Sequence, residues 1–398
     1  MIYICVFGWD FLSCIRLYHK YQLLPAMPTH LLILTPGFPK DEGDTPCIPP
    51  LQSYLLSLKE LYPEIQITVI SFQYPFINRV YDWNGIKVHA VAGKNKRGFG
   101  KLATWWKVIR YAQEIIKQQP VDLIHSFWLG ECTYVGNQIR KSKGIPHVNT
   151  VMGQDAKGSN SYLKYLNVSA DTQLVVLSPY QAEILERSIK RTPEMMIPWG
   201  IIPSDFPKEE PSQKRDIDLL GVGSLIPLKN YRLLVKLVKE VKPQYPEIKC
   251  CIVGSGSEEH ALKRLIHEWE LEDNITLTGR VTREEVLKYM KRSQILVHPS
   301  LYESYGYIFP EALYSGMYSL SFKVGIAPSE LANGKFLDPV FGTHPKWKVA
   351  EDEADMLRLL YELLEMPKDF QRGQVHMMED AVKAYMYLYS ELSPNFVF

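Results

Sequence analysis

Cysteine is scarce and unpatterned in this chain. The six residues, Cys5, Cys14, Cys47, Cys132, Cys250 and Cys251, include no C-x-x-C pair. Across 398 residues that spacing argues against a disulfide framework and suits reduced thiols in the cytoplasm. Excess charge is missing too: 45 Lys and Arg face 44 Asp and Glu, for a net charge of +1. No global field marks a nucleic-acid binder, so attraction to an anionic partner has to be local. Long apolar runs are absent from the N-terminus. Within the first 26 residues, Asp10 and Arg16 leave no charge-free stretch longer than nine residues, against about 18–20 for a bilayer span. No basic region precedes the apolar part, which argues against a secretory signal. Residues 1–26 are expected to be an extension outside the fold or a short interfacial segment, because Met27 directly precedes the strong strand pattern Thr29–Thr35. What remains is an ordinary globular composition, with 46% hydrophobic and 12% aromatic residues and length enough for two domains.

From Thr29 onward, short apolar strands alternate with helices. Strands are expected at His30–Thr35, Ile65–Ser71, Ile86–Ala90, Val121–His125, His147–Val151 and Leu174–Leu177, with helices over Leu51–Leu61 and Leu102–Gln118. A Pro-rich, charged segment, Pro203–Pro211, has the composition of an interdomain linker. The alternation then restarts, with strands at Asp218–Val222, Ile248–Val253, Ile275–Leu277 and Ile295–His298. Helices are expected between and after them at Tyr231–Val241, His260–Glu270, Arg283–Arg292 and Pro310–Tyr314. Such alternation implies parallel sheets covered on both faces. The expected fold is α/β, two doubly wound Rossmann-like domains (27–200 and 201–373) facing across a cleft, with a helix in 374–398 that returns to the first domain. Ligands of such folds bind between the carboxyl ends of the strands.

The most informative segment is Val297–Gly316, which reads VHPSLYESYGYIFPEALYSG. A strand ends at His298, a turn follows, and a helix begins near Gly306. Glu303 then lies in the loop and Glu311 in the first helical turns, both toward the cleft. Carboxylates there can accept hydrogen bonds from sugar or ribose hydroxyls. This segment resembles the Glu-x7-Glu motif of the retaining glycosyltransferases of family 4, which have the GT-B fold. Gly221–Asn230, Cys251–Ser257, Thr278–Val281 and Pro198–Ile201 are similar to that family's donor-domain loops and domain junction, in the same order.

The resemblance implies roles residue by residue. Lys229 contacts the donor diphosphate, Glu311 the nucleotide ribose and Glu303 the transferred sugar, with Gly306 in the turn between the two acids. The backbone around Gly279 and Val281 meets the base, and Gly37 or Gly43 lets an N-terminal loop approach the diphosphate. It implies no metal and no cofactor beyond the nucleotide-sugar donor. Two positions depart from the family. Ser224 stands in the donor-binding loop where an arginine is usual, and Met152 stands where a histidine is usual in Thr150–Asp155. A thioether cannot donate a hydrogen bond as imidazole can. Asp155 is left as a base or orienting group at the acceptor hydroxyl, and His125 as an acceptor or sugar contact. The segment Val324–Glu330 matches its family counterpart loosely.

The activity expected is transfer of a sugar to a glycan, lipid-linked or polysaccharide-precursor hydroxyl. A catalytically silent sugar-nucleotide-binding subunit and a nucleotide-sugar epimerase are the alternatives. Asp216 and Asp218 spell an Asp-x-Asp, but their place before an apolar strand favours a solvated strand start over a metal site. Between Asp82 and Glu114 there is no acid, while Lys87, Lys94, Lys96, Arg97, Lys101, Lys107 and Arg110 accumulate around Phe99, Trp105 and Trp106. On the helix there, Leu102, Trp105, Trp106, Ile109, Ala112 and Ile116 are expected to form one apolar stripe. Residues 87–110 are therefore either a core-facing helix with a basic flank or a docking face for the anionic inner leaflet of a membrane.

Overall fold

The computed structural model describes residues 29–166, 171–208, 214–327 and 344–396. The extension 1–26, Cys5, Cys14, the end of the Pro-rich segment (209–211) and Glu330 lie outside the described residues. In chain order the N-terminal half runs β1 (His30–Gly37), α1 (Pro49–Leu61), β2 (Gln66–Tyr74), β3 (Arg79–Trp83), β4 (Ile86–Ala90), α2 (Phe99–Gln118), β5 (Leu123–Phe127), α3 (Glu131–Lys143), β6 (His147–Thr150), β7 (Thr172–Val176), α4 (Pro179–Ile189) and β8 (Met195–Met196). The C-terminal half runs β9 (Ile217–Val222), α5 (Tyr231–Val241), β10 (Cys250–Val253), α6 (Glu259–Glu268), β11 (Ile275–Gly279), α7 (Arg283–Arg292), β12 (Ser293–His298), α8 (Ile308–Tyr314), β13 (Tyr318–Phe322), β14 (Trp347–Ala350) and α9 (Glu353–Glu365). A last helix, α10 (Met378–Leu392), follows.

Each half folds around one sheet, ordered β3-β4-β2-β1-β5-β6-β7-β8 in the first and β11-β10-β9-β12-β13-β14 in the second. The centres of both are parallel and doubly wound, with the strand order reversing between β1 and β5 and between β9 and β12. Those reversals open a crevice at the carboxyl ends of the strands. The strands read as apolar runs because helices cover both faces: Leu31, Leu32, Ile33 and Leu34 of β1 are all fully buried. The helices start where local chemistry tells them to. Ser178 caps α4 ahead of Pro179, and Thr282 and Glu285 form a reciprocal capping box on α7.

Two local expectations are corrected. β3 was not anticipated; it is an exposed edge strand pairing antiparallel with β4 through Asn84-Gly85. Both turn residues have positive φ, 49° and 73°, as a two-residue hairpin turn of this kind requires. The stripe expected on α2 divides into two faces. Thr104, Val108, Ala112 and Ile115 are buried, and Trp105 turns inward to donate its Nε1–H to Glu131 at 2.8 Å. Phe99, Leu102 and Trp106 point away, with 90%, 55% and 62% exposure.

The chain passes between the two halves at neighbouring points. Ile201 and Met377 form a parallel bridge, with Ile201 N–H donating to His376 O and Met378 N–H to Ile201 O, both at 2.9 Å. After the second passage α10 packs on α1 of the first domain. Tyr389 Oη shares hydrogen bonds with Tyr54 Oη (2.8 Å) and His125 Nδ1 (2.5 Å), and Tyr385 Oη shares one with Thr150 Oγ1 (2.8 Å).

Where the two passages touch there is room only for glycine: a Cβ on Gly200 would stand 1.9 Å from the Met377 carbonyl carbon. Gly200→Ala is therefore expected to destabilise the protein by roughly 1–3 kcal/mol, read as a lower denaturant midpoint. An unchanged midpoint would show that the junction is loose.

Candidate active site

At the switch point of the second sheet, the turns after β9 and β10 and the loop after β12 meet. Gly223 and Gly254 adopt φ of 151° and 147°, and a Cβ on Gly254 would lie 1.9 Å from Gly223 O. This contact holds the two turns back to back. Beside them, between the domains, is a hollow of about 520 Å³. Pro46, Pro49 and Pro50 wall it from the N-terminal domain, and Gly223, Ser224, Ser255, Arg280, Val281, Arg283, Tyr307 and Glu311 from the C-terminal domain. A second hollow of about 380 Å³ shares Pro49 and Arg283 with it and is lined by Gly43, Asp205 and Glu284 among others.

Glu311 is 6% exposed, held on α8 with its Oε1 3.0 Å from Arg283 Nη1. Burial pushes its carboxyl above the usual range, against the pull of the Arg283 charge, while Asp205 adds to the rise. Arg283 also pairs with Asp205 at 3.3 Å, so one guanidinium joins the larger hollow to the domain junction. Burial opposes the charge on Arg283, but Glu311, Tyr307 and Asp205 prevail and hold it firmly protonated. Tyr307 in turn donates to Gly200 O at 2.8 Å.

Glu303 sits in the loop after β12, paired with Lys229 Nζ and accepting a hydrogen bond from His298 Nε2 at 2.7 Å. Burial works against its charge, but His298 and Lys229 outweigh it and hold the carboxyl down at about 2. His298, fully enclosed, is kept neutral by burial in spite of Glu303. The stem of Lys229 lies 3.8 Å from where a Gly223 Cβ would be, so the Lys229–Glu303 pair adjoins the larger hollow. The flanking residues strap the loop to the other domain. Tyr302 Oη donates to Gly153 O at 2.9 Å, and Ser304 Oγ to Met152 O at 2.7 Å.

The hollow thus brings together Ser224, Val281 and Glu311 directly, and Lys229 and Glu303 at its side. Gly43 lines the neighbouring hollow, while Gly37 closes β1 and packs near Ile48 and Tyr74. Gly279 and Gly306 turn the chain at φ of 73° and 82°, and Gly279 O accepts from Gly254 N–H at 2.9 Å. Two expectations do not hold. His125 is 0% exposed and its ring nitrogens are taken by Tyr389 and Thr150, so it is a core residue that meets no sugar. Asp155, expected as a base or orienting group at the acceptor hydroxyl, spends both carboxylate oxygens on backbone N–H groups of Leu129 (2.6 Å), Met152 (3.2 Å) and Gly153 (2.5 Å). It ties the loop after β5 to the loop after β6. Burial raises its carboxyl and those amides oppose the rise. Asp216 is paired with Arg292, and Asp218 accepts from Lys249 N–H, at the amino end of β9 and away from the crevice. Arg283, Tyr307 and His298 carry no role in the sequence reading, and Arg280 only a backbone one in the loop at the base. Each borders a motif that had one, and that adjacency was the available signal.

A family model for glycosyl transferases group 1 matches residues 204–373, the stretch that builds the second sheet and both acids. That stretch, rather less than half of the chain, is what is similar to the group 1 glycosyltransferases. The fission-yeast (Schizosaccharomyces pombe) gpi3 subunit of phosphatidylinositol N-acetylglucosaminyltransferase is 21% identical over 71% of this chain and 64% of its own length. Alpha-monoglucosyldiacylglycerol synthase of Streptococcus pneumoniae is 25% identical over 60% of each. The chain thus matches less than two thirds of the length of either. Among solved structures, sucrose-phosphate synthase of Thermosynechococcus elongatus superposes with a TM-score of 0.67 at 17% identity, covering 91% of this chain and 95% of that one. Anabaena HepE, solved with UDP and glucose, gives 0.60 at 17% over 92% and 95%. The fold of the chain is GT-B.

The Glu303 carboxyl is depressed in the folded state from its ordinary 4.5 to about 2. Its stabilising contribution is present above pH 4.5 and disappears as pH falls through about 2. Glu303→Gln is accordingly expected to lower the melting midpoint at pH 7 by roughly 2–4 °C, with the gap to the parent closing toward pH 2. A gap that does not vary with pH would mean that the charge is not what Glu303 contributes.

Proposed function

We propose that this chain is a retaining glycosyltransferase that moves a hexose-type sugar from a nucleoside diphosphate-sugar to a hydroxyl acceptor. One observation carries the proposal. Two carboxylates eight positions apart flank a single turn at the switch point, one on a nucleotide-sized hollow and the other clamped to a lysine beside it. Glu311 accepts hydrogen bonds from the ribose hydroxyls, and Glu303 accepts them from the sugar. Lys229 then stabilises the charge that grows on the departing diphosphate. The bond from the anomeric carbon to the diphosphate oxygen breaks as the acceptor oxygen bonds on the same face, and the acceptor proton passes to the diphosphate. The protein positions the reactants and excludes water. Neighbours solved with UDP and glucose, and with UDP and GlcNAc, support a UDP-sugar donor. Turnover is read as nucleoside diphosphate released from UDP-, GDP- and ADP-sugars. Glu311→Ala is expected to weaken UDP binding about tenfold or more. Lys229→Ala is expected to slow turnover about 10²-fold or more. Unchanged values in both variants would discard the site, and binding without turnover would favour a silent subunit.

The relatives named for phosphatidylinositol and diacylglycerol substrates support a lipid-linked acceptor, and α2 offers a means to reach one at the cytoplasmic face of a membrane. Phe99, Leu102 and Trp106 project from one face of it, and no acid interrupts the basic run from Lys87 to Arg110. The Arg110 guanidinium lies 5.2 Å from the Trp106 ring centroid. Aromatic and leucine side chains enter the interface while cations meet lipid phosphates, at about 1 kcal/mol per cation. No helix among the described residues is long and apolar enough to cross a membrane, so this contact would be peripheral. Replacing Lys96, Arg97 and Lys101 with serine is expected to reduce sedimentation with phosphatidylglycerol vesicles and leave that with phosphatidylcholine vesicles unaltered. Equal sedimentation of the parent with both lipids removes the membrane contact.

A further inference from the structure

The ionisable groups around the larger hollow are nearly all committed to one another. Lys229 is held by Glu303, and Arg283 by Glu311 and Asp205. Those five groups are three acids against two cations, a balance that would repel a diphosphate. Ser224, at the mouth of the turn after β9, brings no charge. Arg280 is different. It directly follows Gly279, whose φ of 73° swings the chain out of β11, and its side chain lines the hollow. Arg280 is exposed and makes no hydrogen bond or ion pair among the described residues. Its field nevertheless crosses the cleft: the Cys47 thiol, driven up by burial to about 12, feels an opposing pull from the Arg280 charge.

We propose that Arg280 supplies the positive charge for the donor diphosphate that Ser224 does not supply. The assignment rests on the nucleotide-sugar reading of the hollow and names which cation serves it. A guanidinium offers several N–H donors in a planar fork that fits phosphate oxygens. Because it has no partner to give up among the described residues, it can engage the ligand without breaking a pair seen there. The other two cations have to exchange a carboxylate for the phosphate.

Calorimetric titration with UDP and with uridine separates phosphate from base recognition. Arg280→Ala is expected to weaken UDP binding about 10–100-fold and leave uridine unchanged, with Arg280→Lys intermediate. The salt sensitivity of UDP binding falls in the alanine variant. Adding Ser224→Arg to Arg280→Ala is expected to restore UDP affinity, since it returns a cation to the same hollow. Equal losses for UDP and uridine would assign Arg280 to the base and overturn the proposal, as would UDP affinity indifferent to Arg280. Failure of UDP, GDP and ADP alike to bind the unaltered chain would overturn the nucleotide reading and this assignment together. An unchanged melting midpoint for the exposed Arg280 variants distinguishes lost recognition from lost folding.

Discussion

The site depends on two tyrosines that belong in sequence to the last helix and in space to the first domain. His125 and Thr150 sit in the core of the N-terminal sheet, where an unpaired polar group costs about 1–3 kcal/mol. Tyr385 and Tyr389 of α10 engage both through hydroxyls that are otherwise buried. That network anchors α10 to the first sheet, and anchoring α10 fixes the second passage between domains at Met377, against Gly200. Two adjacent passages restrict how the sheets can turn relative to each other, so their switch points remain opposed. The hydroxyls of Tyr302, Ser304 and Tyr307 then bind the second domain's loop and helix to backbone carbonyls of the first and of the junction.

Within the crevice, charge is stored in pairs. Glu303 and Lys229 neutralise one another, and Arg283 divides itself between Glu311 and Asp205. Such pairs keep long side chains in defined positions and limit the entropy lost when a ligand orders them. They also make any ligand compete with an internal partner. Asp205 belongs to the junction and Glu311 to the hollow, so the Arg283 fork connects occupancy of the site with the place where the domains join.

Much of this could be read from the residues. Apolar runs such as Leu31–Leu34 announce a strand buried on both faces, and the Glu303–Glu311 spacing marks the turn at the crevice because both carboxylates flank one glycine there. What escaped depends on long-range pairing. His125 at a strand end looks the same in sequence whether it faces a ligand or a tyrosine 264 positions away. Asp155 resembles a base until three backbone amides are seen to surround it. Periodicity put Trp105 and Trp106 in one stripe, yet consecutive residues are about 100° apart on a helix, and Glu131, supplied by α3, draws only Trp105 inward. The β3–β4 hairpin, by contrast, carried an Asn-Gly signal in plain view.

The return of α10 bears on how the molecule is made. Residues 378–392 complete the core around Tyr54, His125 and Thr150. The core of the N-terminal half is therefore incomplete until α10 has been synthesised. A nascent chain arrested before α10 would leave the rings of Tyr54 and Trp199 without their Tyr385 cover, an aromatic groove for chaperones to shelter.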